Sequence, residues 1–351
     1  MTSPTQQTLR PDVVAALVRS TLDVPVESCT DLAGGGFASV WRVSLATGGV
    51  VVVKVGPHPD VPLLGYESAM IRAEAEYLQR LEASAEPVPA PRVLRYGEGG
   101  LVAGEWLATT WLPGTPLPEL TRRQPGFDDA SVRHDLGGAV AAIHRITGER
   151  YGYTGDRPQG MTWPDAFSAI MEGLLQDAAT WRVELPSPPD RVRAEVDRAA
   201  GVLAAVRRPA LLHFDLWDGN VLVAPDGDGP ARLTGLVDGE RFLYGDELMD
   251  FVSPVLMRRI DEEPDHPFLQ GYAAASGAPV EFDRSARHRL ALYRLHLYLL
   301  MLVEMPSRGM VGPDAEARHE RLTRLFLEEL DRLAELTNRP PRAGTAGCRA
   351  R

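Results

Sequence analysis

The sequence predicts an α+β chain in two lobes, a small β-rich lobe followed by a larger, mainly helical one. Three observations predict it. Strand-like runs concentrate early, above all Gly49-Val-Val-Val-Val-Lys-Val55. Helical periodicity dominates from Ser131 onward. Between the two regions, Trp111-Leu-Pro-Gly114 reads as a hinge. The first lobe is expected over 1–112, the second over 113–337, and a disordered tail over 338–351.

In chain order, residues 11–22 place Val13, Val14, Leu17 and Val18 at helical spacing. Asp31-Leu-Ala-Gly-Gly-Gly-Phe-Ala-Ser-Val then sets a glycine cluster before a strand. Glycine lets backbone N–H groups approach phosphate oxygens with no side chain between, so Gly34 and Gly35 are candidate phosphate contacts. Ser39 is a candidate hydroxyl donor to the same phosphates, or a solvent-facing strand serine. No Lys-Ser/Thr follows the glycines, which excludes a Walker loop.

Lys54 lies in the β-branched run and is the one lysine among 37 Lys plus Arg. Surface charge in this composition is arginine, so a lone lysine inside a strand marks a place where a compact ammonium is needed and a forked guanidinium fails. Ile71 to Leu81 reads as a helix with Ile71, Leu78 and Leu81 inward. Glu74 lies near that face and is the expected partner of Lys54, with Glu67 and Glu76 as the outsiders. Pro87-Val-Pro-Ala-Pro91 connects to strands at 92–97 and 105–112. At the end of the second strand, backbone groups of Thr110 and Leu112 are positioned to read a nucleotide base.

Ser131–Ile146 reads as a helix, and 151–209 carries no catalytic motif. Its Trp163, Phe167 and Trp181 read as core. The most informative stretch is Leu211-Leu-His-Phe-Asp-Leu-Trp-Asp-Gly-Asn-Val-Leu-Val223, a strand, a tight loop and a strand. His213, Asp215 and Asn220 have the order His-x-Asp-x-x-x-x-Asn. Alone, Asp and Asn build turns. At this spacing they match a kinase catalytic loop, in which the Asp accepts the acceptor's proton and the Asn holds Mg²⁺. Eighteen residues after Asn220, an apolar run ends in Asp238. The oxygen-only pair Asn220 and Asp238 suits Mg²⁺. Asp246 and Asp250 follow, as candidate braces of the catalytic loop or, for Asp246, a helix cap. Residues 266–337 read as helices, with Leu290–Met305 a core helix too short and too charged to cross a bilayer.

The net charge of −11 argues against a nucleic-acid partner. Cys29 and Cys348 are too few and too far apart for a disulfide framework, and the N-terminus has no signal pattern. The expected setting is therefore the cytoplasm, with no membrane partner, as a monomer or homodimer.

Together these motifs, from Leu32 to Phe251, resemble the aminoglycoside phosphotransferase and choline kinase-like family of small-molecule kinases. The resemblance is carried by Leu32-Ala-Gly-Gly-Gly, Lys54, Glu74, Trp111-Leu-Pro-Gly114, Ala142-Ile-His-Arg-Ile146, the 213–223 loop and Asp238 through Gly245-Asp246 to Asp250-Phe251. It implies a protein-kinase-like fold, Mg²⁺, and ATP or GTP as donor. It also implies Asp215 as catalytic base, Asn220 and Asp238 as metal ligands, and Lys54 with Glu74 as the phosphate-positioning pair. The chain departs from the pattern at three places. Phe214 stands where a regulated protein kinase has Arg, which argues against control by a phosphorylated loop. Gly239 stands where the family usually has Trp or Phe. The C-terminus is basic, where some aminoglycoside kinases look to use acidic and aromatic residues.

The expected function is Mg²⁺-dependent transfer of a nucleotide γ-phosphoryl group to a small-molecule hydroxyl. The Arg-, Ala- and Pro-rich composition looks actinobacterial, so an antibiotic acceptor is favoured: aminoglycoside, macrolide, peptide or nucleoside. One rival is a metabolic kinase for a sugar, amino alcohol or fructosamine-like acceptor, because Asp-Leu-Trp at 215–217 resembles the fructosamine-kinase loop. Another is a nucleotide-binding pseudokinase, against which the complete set of Lys54, Asp215, Asn220 and Asp238 speaks.

Overall fold

The β-branched run around Lys54 forms the centre of a five-stranded antiparallel sheet in a computed structural model that describes residues 3–32, 35–225 and 230–338. Gly34, Cys348 and the residues from 339 onward lie outside the described residues. The first elements are α1 (Pro11–Leu22), β1 (Val26–Asp31), β2 (Ser39–Leu45), β3 (Val50–Val55), α2 (Met70–Glu82), β4 (Val93–Glu98) and β5 (Glu105–Thr110). The strand order is β1-β2-β3-β5-β4. Alternation along β3 divides its side chains between two faces. Val51, Val53 and Val55 bury against Trp41, Val43, Trp106 and the Val14, Leu17 and Val18 face of α1. Lys54, one residue out of phase, points the other way, where α2 supplies its partner. Pro11 at the first turn starts α1, and Asp23 in the left-handed region ends it.

Beyond the hinge come β6 (Thr115–Pro116), α3 (Leu117–Arg123), α4 (Ala130–His144), β7 (Tyr151–Gly152), β8 (Gln159–Gly160), α5 (Trp163–Thr180), α6 (Pro189–Arg198) and α7 (Ala200–Leu203). The stretch from Ala210 to Gly245 supplies β9 (Ala210–Leu212), β10 (Val221–Pro225), β11 (Ala231–Leu236) and β12 (Leu243–Gly245). The chain then forms α8 (Pro267–Ser276), α9 (Arg284–Ser307) and α10 (Pro313–Asn338). Two small sheets, β11-β10-β6 and β8-β7-β12-β9, hold the loops of the site.

The apolar stretch within α9 is buried from Leu290 to Met305, as its composition predicts. No helix among the described residues is long and apolar enough to cross a membrane. Helices α4 and α8 cross so closely that a Cβ on Gly137 would lie 2.0 Å from the Phe268 carbonyl, and one on Gly271 would lie 1.9 Å from that of His134. Only glycine admits that approach. Trp163 and Phe167 are fully buried and Trp181 packs half-buried beside them, so all three serve the core. Asp261, Arg294 and Glu329 form a buried ionic cluster joining α9 and α10 to the segment before α8.

Candidate active site

The catalytic loop is bent by local backbone chemistry. Phe214 has φ of 65°, a left-handed conformation that costs a non-glycine residue about 1 kcal/mol or more. Asp250 offsets this cost. Its Oδ2 accepts the His213 N–H at 2.9 Å and its Oδ1 accepts the Phe214 N–H at 2.6 Å. His144 of α4 lies 3.1 Å from Asp250 and 3.0 Å from the Tyr272 hydroxyl. The Leu216 N–H donates to Ser253 Oγ at 3.0 Å. Of the two candidate braces, Asp250 holds the loop. Asp246 accepts the Leu248 N–H at 3.3 Å as a cap, and accepts from Arg289 and Tyr293 of α9 at 2.6 Å each.

Within the loop, His213 Nδ1 accepts the Asp215 N–H at 3.3 Å, so Nε2–H donates to the Val237 carbonyl at 3.1 Å. Burial lowers the His213 pKa, which favours this neutral tautomer. Asn220 Nδ2 donates to the Asp215 carbonyl at 2.8 Å. In the β10–β11 ladder Val221 pairs with Leu236, and the Val237 N–H donates to the Asn220 carbonyl at 3.1 Å. That register carries Asp238 to the same end of the sheet as Asn220 and Asp215. Burial raises the Asp215 pKa, and the Arg241 guanidinium 3.6 Å away opposes the rise.

Lys54 Nζ donates to both Glu74 oxygens, at 2.6 and 2.7 Å, and to Asp238, with Glu240 at 3.6 Å. Burial alone would lower its pKa, but Asp238 and Glu74 more than offset that and hold it well above the usual lysine value. Glu74 is therefore the partner in the structure. Glu76 instead pairs with Arg80 and accepts from the Thr154 hydroxyl, while Glu67 pairs with Arg308. The carboxylates of Glu74, Asp238 and Glu240 each offer an oxygen within 4.8 Å of the others. Burial, with Asp238 and Glu74 close by, pushes the Glu240 pKa up to about 8 although Lys54 opposes it. Glu74, Asp238 and Glu240 together offer more oxygen donors than one ammonium engages, and an all-oxygen donor set of this kind fits a hard divalent cation such as Mg²⁺.

The glycine loop is held by residues that sequence reasoning missed. Thr5 donates to the Gly36 carbonyl at 3.0 Å, and Gln6 Nε2 donates to those of Gly35 and Ala38 at 2.9 and 3.1 Å. Ser39 is buried, and its hydroxyl donates to the Gln7 carbonyl at 2.5 Å. Neither the phosphate-donor nor the solvent-facing expectation describes that placement, because the N-terminal segment covers the strand. Thr110 also differs from expectation. Its N–H donates to the Arg92 carbonyl at 2.9 Å and is committed to the β4 edge, where β5 ends. Leu112 lies past the strand and makes no backbone hydrogen bond among the described residues.

A further ionic chain reaches the catalytic loop. Arg241 Nη2 donates to Glu304 of α9 at 2.7 Å, and Glu304 also accepts from the Tyr66 hydroxyl. Arg308 lies 2.5 Å from Glu67 and 3.5 Å from Glu304, with its guanidinium 5.2 Å over the Phe37 ring. The only sequence signal for Glu240 and Arg241 was their place directly after Asp238. Glu304 had none.

The Phosphotransferase enzyme family matches residues 28–293, about three-quarters of the chain. The chain belongs to that family. This phosphotransferase is 30% identical over 291 residues to a Thermus thermophilus protein named a probable ketoamine kinase, covering 80% of this chain and 89% of that one. It is 26% identical over 237 residues to an aminoglycoside 3'-phosphotransferase of Streptomyces fradiae, covering 64% and 78%. Its fold is similar to the crystal structure of a fructosamine-3-kinase candidate from Thermobifida fusca, with a TM-score of 0.65 at 23% identity over 90% and 98% of the two chains. It is also similar to that of a thermostable mutant of an aminoglycoside phosphotransferase in ternary complex with AMP-PNP and hygromycin B, with a TM-score of 0.55 at 19% identity over 89% and 98%. The phosphotransferase is a small-molecule kinase with the two-lobed, protein-kinase-like fold.

Proposed function

We propose that the protein moves the γ-phosphoryl of ATP or GTP to a hydroxyl of a sugar-derived ketoamine, as a cytoplasmic metabolic kinase. The observation that carries this reading is Trp217. It lies two residues past Asp215 and is 41% exposed, with its ring against Gly219. An exposed indole two residues along the loop from Asp215 would offer a flat apolar face to the C–H face of a sugar. The similarity to proteins named ketoamine kinases supports the same acceptor class.

In this reading Asp215 orients the acceptor hydroxyl and takes its proton. Lys54, held by Glu74, contacts the donor phosphates, the Gly35 backbone covers them, and the backbone at Leu112 reads the base. Asn220 and Asp238, with Glu240 beside them, would hold Mg²⁺. When bound, Mg²⁺ neutralises charge developing on the phosphoryl oxygens.

Antibiotic phosphorylation is the second reading, favoured by the Streptomyces fradiae relative. A mass-spectrometric screen separates the two. With Mg²⁺ and ATP or GTP, a fructosylamine should gain one phosphoryl group, and Asp215→Asn should abolish the gain. Phosphorylation of an aminoglycoside or macrolide with no reaction of fructosylamines would replace the first reading with the second.

A further inference from the structure

Gly239 follows Asp238, at the position where a bulky aromatic was expected. The ring is present, but it comes from α2. A Cβ on Gly239 would lie 2.2 Å from Tyr77 Cδ1 and 2.5 Å from Cε1. The φ of Gly239 does not fall in the left-handed region. The glycine is therefore demanded by Tyr77 occupying the space and not by the backbone.

Tyr77 touches both functional loops. It is 2% exposed, edge-on to His213 with ring centroids 5.4 Å apart, and 5.6 Å from Phe242. Its hydroxyl has no hydrogen-bond partner among the described residues, so the ring surface makes these contacts. Asp238, next to Gly239, has φ of 63°, which a non-glycine residue holds only where its surroundings support it. Tyr77 lies three residues after Glu74 on the buried face of α2. One helix face thus carries both the carboxylate that positions Lys54 and the ring packed against the loop of Asp238.

We propose that Tyr77 is a positioning residue. Its ring fills the space left by Gly239, holds Asp238 in the left-handed conformation that presents its carboxylate beside Lys54, and registers the His213 loop against it. The inference rests on Asp238 as a cation ligand, and the test separates the two. Binding of ATP is measured by calorimetry as Mg²⁺ is titrated, with thermal unfolding alongside, so no acceptor is needed.

Tyr77→Phe should match the parent, because the hydroxyl is unpartnered. Tyr77→Leu and Tyr77→Ala should raise the Mg²⁺ concentration for half-maximal ATP affinity by roughly tenfold or more, the scale seen when a supporting neighbour of a metal ligand is removed. Gly239→Phe alone should be disruptive, and Tyr77→Ala with Gly239→Phe should recover much of the loss by returning the ring from the other side. If Tyr77→Leu lowers thermal stability but leaves the Mg²⁺ response unchanged, the inference is overturned while the ligand reading stands. Tolerance of Gly239→Phe in the parent would also overturn it. An ATP affinity indifferent to Mg²⁺ in the parent would remove the ligand reading and the inference with it.

Discussion

Asp250 Oδ1 accepts the backbone N–H of Phe214 at 2.6 Å, and Phe214 is the residue that turns the chain into Asp215. The carboxylate proposed as the base is therefore aimed by a second carboxylate, Asp250, which is fully buried. Asp250→Ala would leave the His213 and Phe214 N–H groups buried and unpaired. At about 1–3 kcal/mol for each such group, a loss of about 2–6 kcal/mol is expected. Urea unfolding with an unchanged m value checks it.

Asp215→Asn keeps the size of the side chain and its backbone bond from Asn220. The variant should fold and bind nucleotide normally while kcat falls by roughly 10²–10⁴-fold, the usual worth of general-base assistance. Turnover near the parent value would remove Asp215 from the base role.

Lys54→Arg tests why one lysine persists among arginines. Nζ sits within hydrogen-bond reach of Glu74 and Asp238 in a buried site, and a planar fork cannot take that place without moving α2 or the Asp238 loop. Charge is retained, yet kcat/KM is expected to fall by roughly 10²-fold or more, on the scale of losing one fixed electrostatic contact. Steady-state kinetics with ATP varied reads this directly.

The acid limb of the pH–rate profile should report Asp215. Its pKa is raised by burial above the ordinary aspartate value, so activity is lost as pH falls through that raised value, when the base becomes protonated. Arg241 opposes that rise. Arg241→Met should therefore move the acid limb to still higher pH. Profiles of kcat/KM for parent and variant, measured at one ionic strength, test the sign. A shift to lower pH would mean that Arg241 does not act on Asp215.

Much of the site was legible because its residues lie at short, regular spacings. The loop from His213 to Asn220, the strand phase of Lys54 and the helix phase of Glu74 each depend on neighbours a few positions away. Glu74 emerged over Glu67 and Glu76 from periodicity alone, and its two bonds to Lys54 agree. Ser39 and Thr110 were placed differently from expectation because their hydrogen bonds go to segments far along the chain, Gln7 and Arg92. Strand propensity cannot show that a hydroxyl is covered or an N–H already engaged.

By itself, the sequence determined the order of the elements, the class of chemistry and which side chains are the candidates to carry it. Local spacing sets which face of a strand or helix a residue occupies, and residue type sets what it does there. Only the tertiary structure decided how these groups are held. It set Tyr77 against Gly239, joined Arg241 to Glu304, and laid the N-terminal segment over the glycine loop. These are contacts between residues brought together by packing, and a linear pattern carries no record of which distant side chain fills a given space.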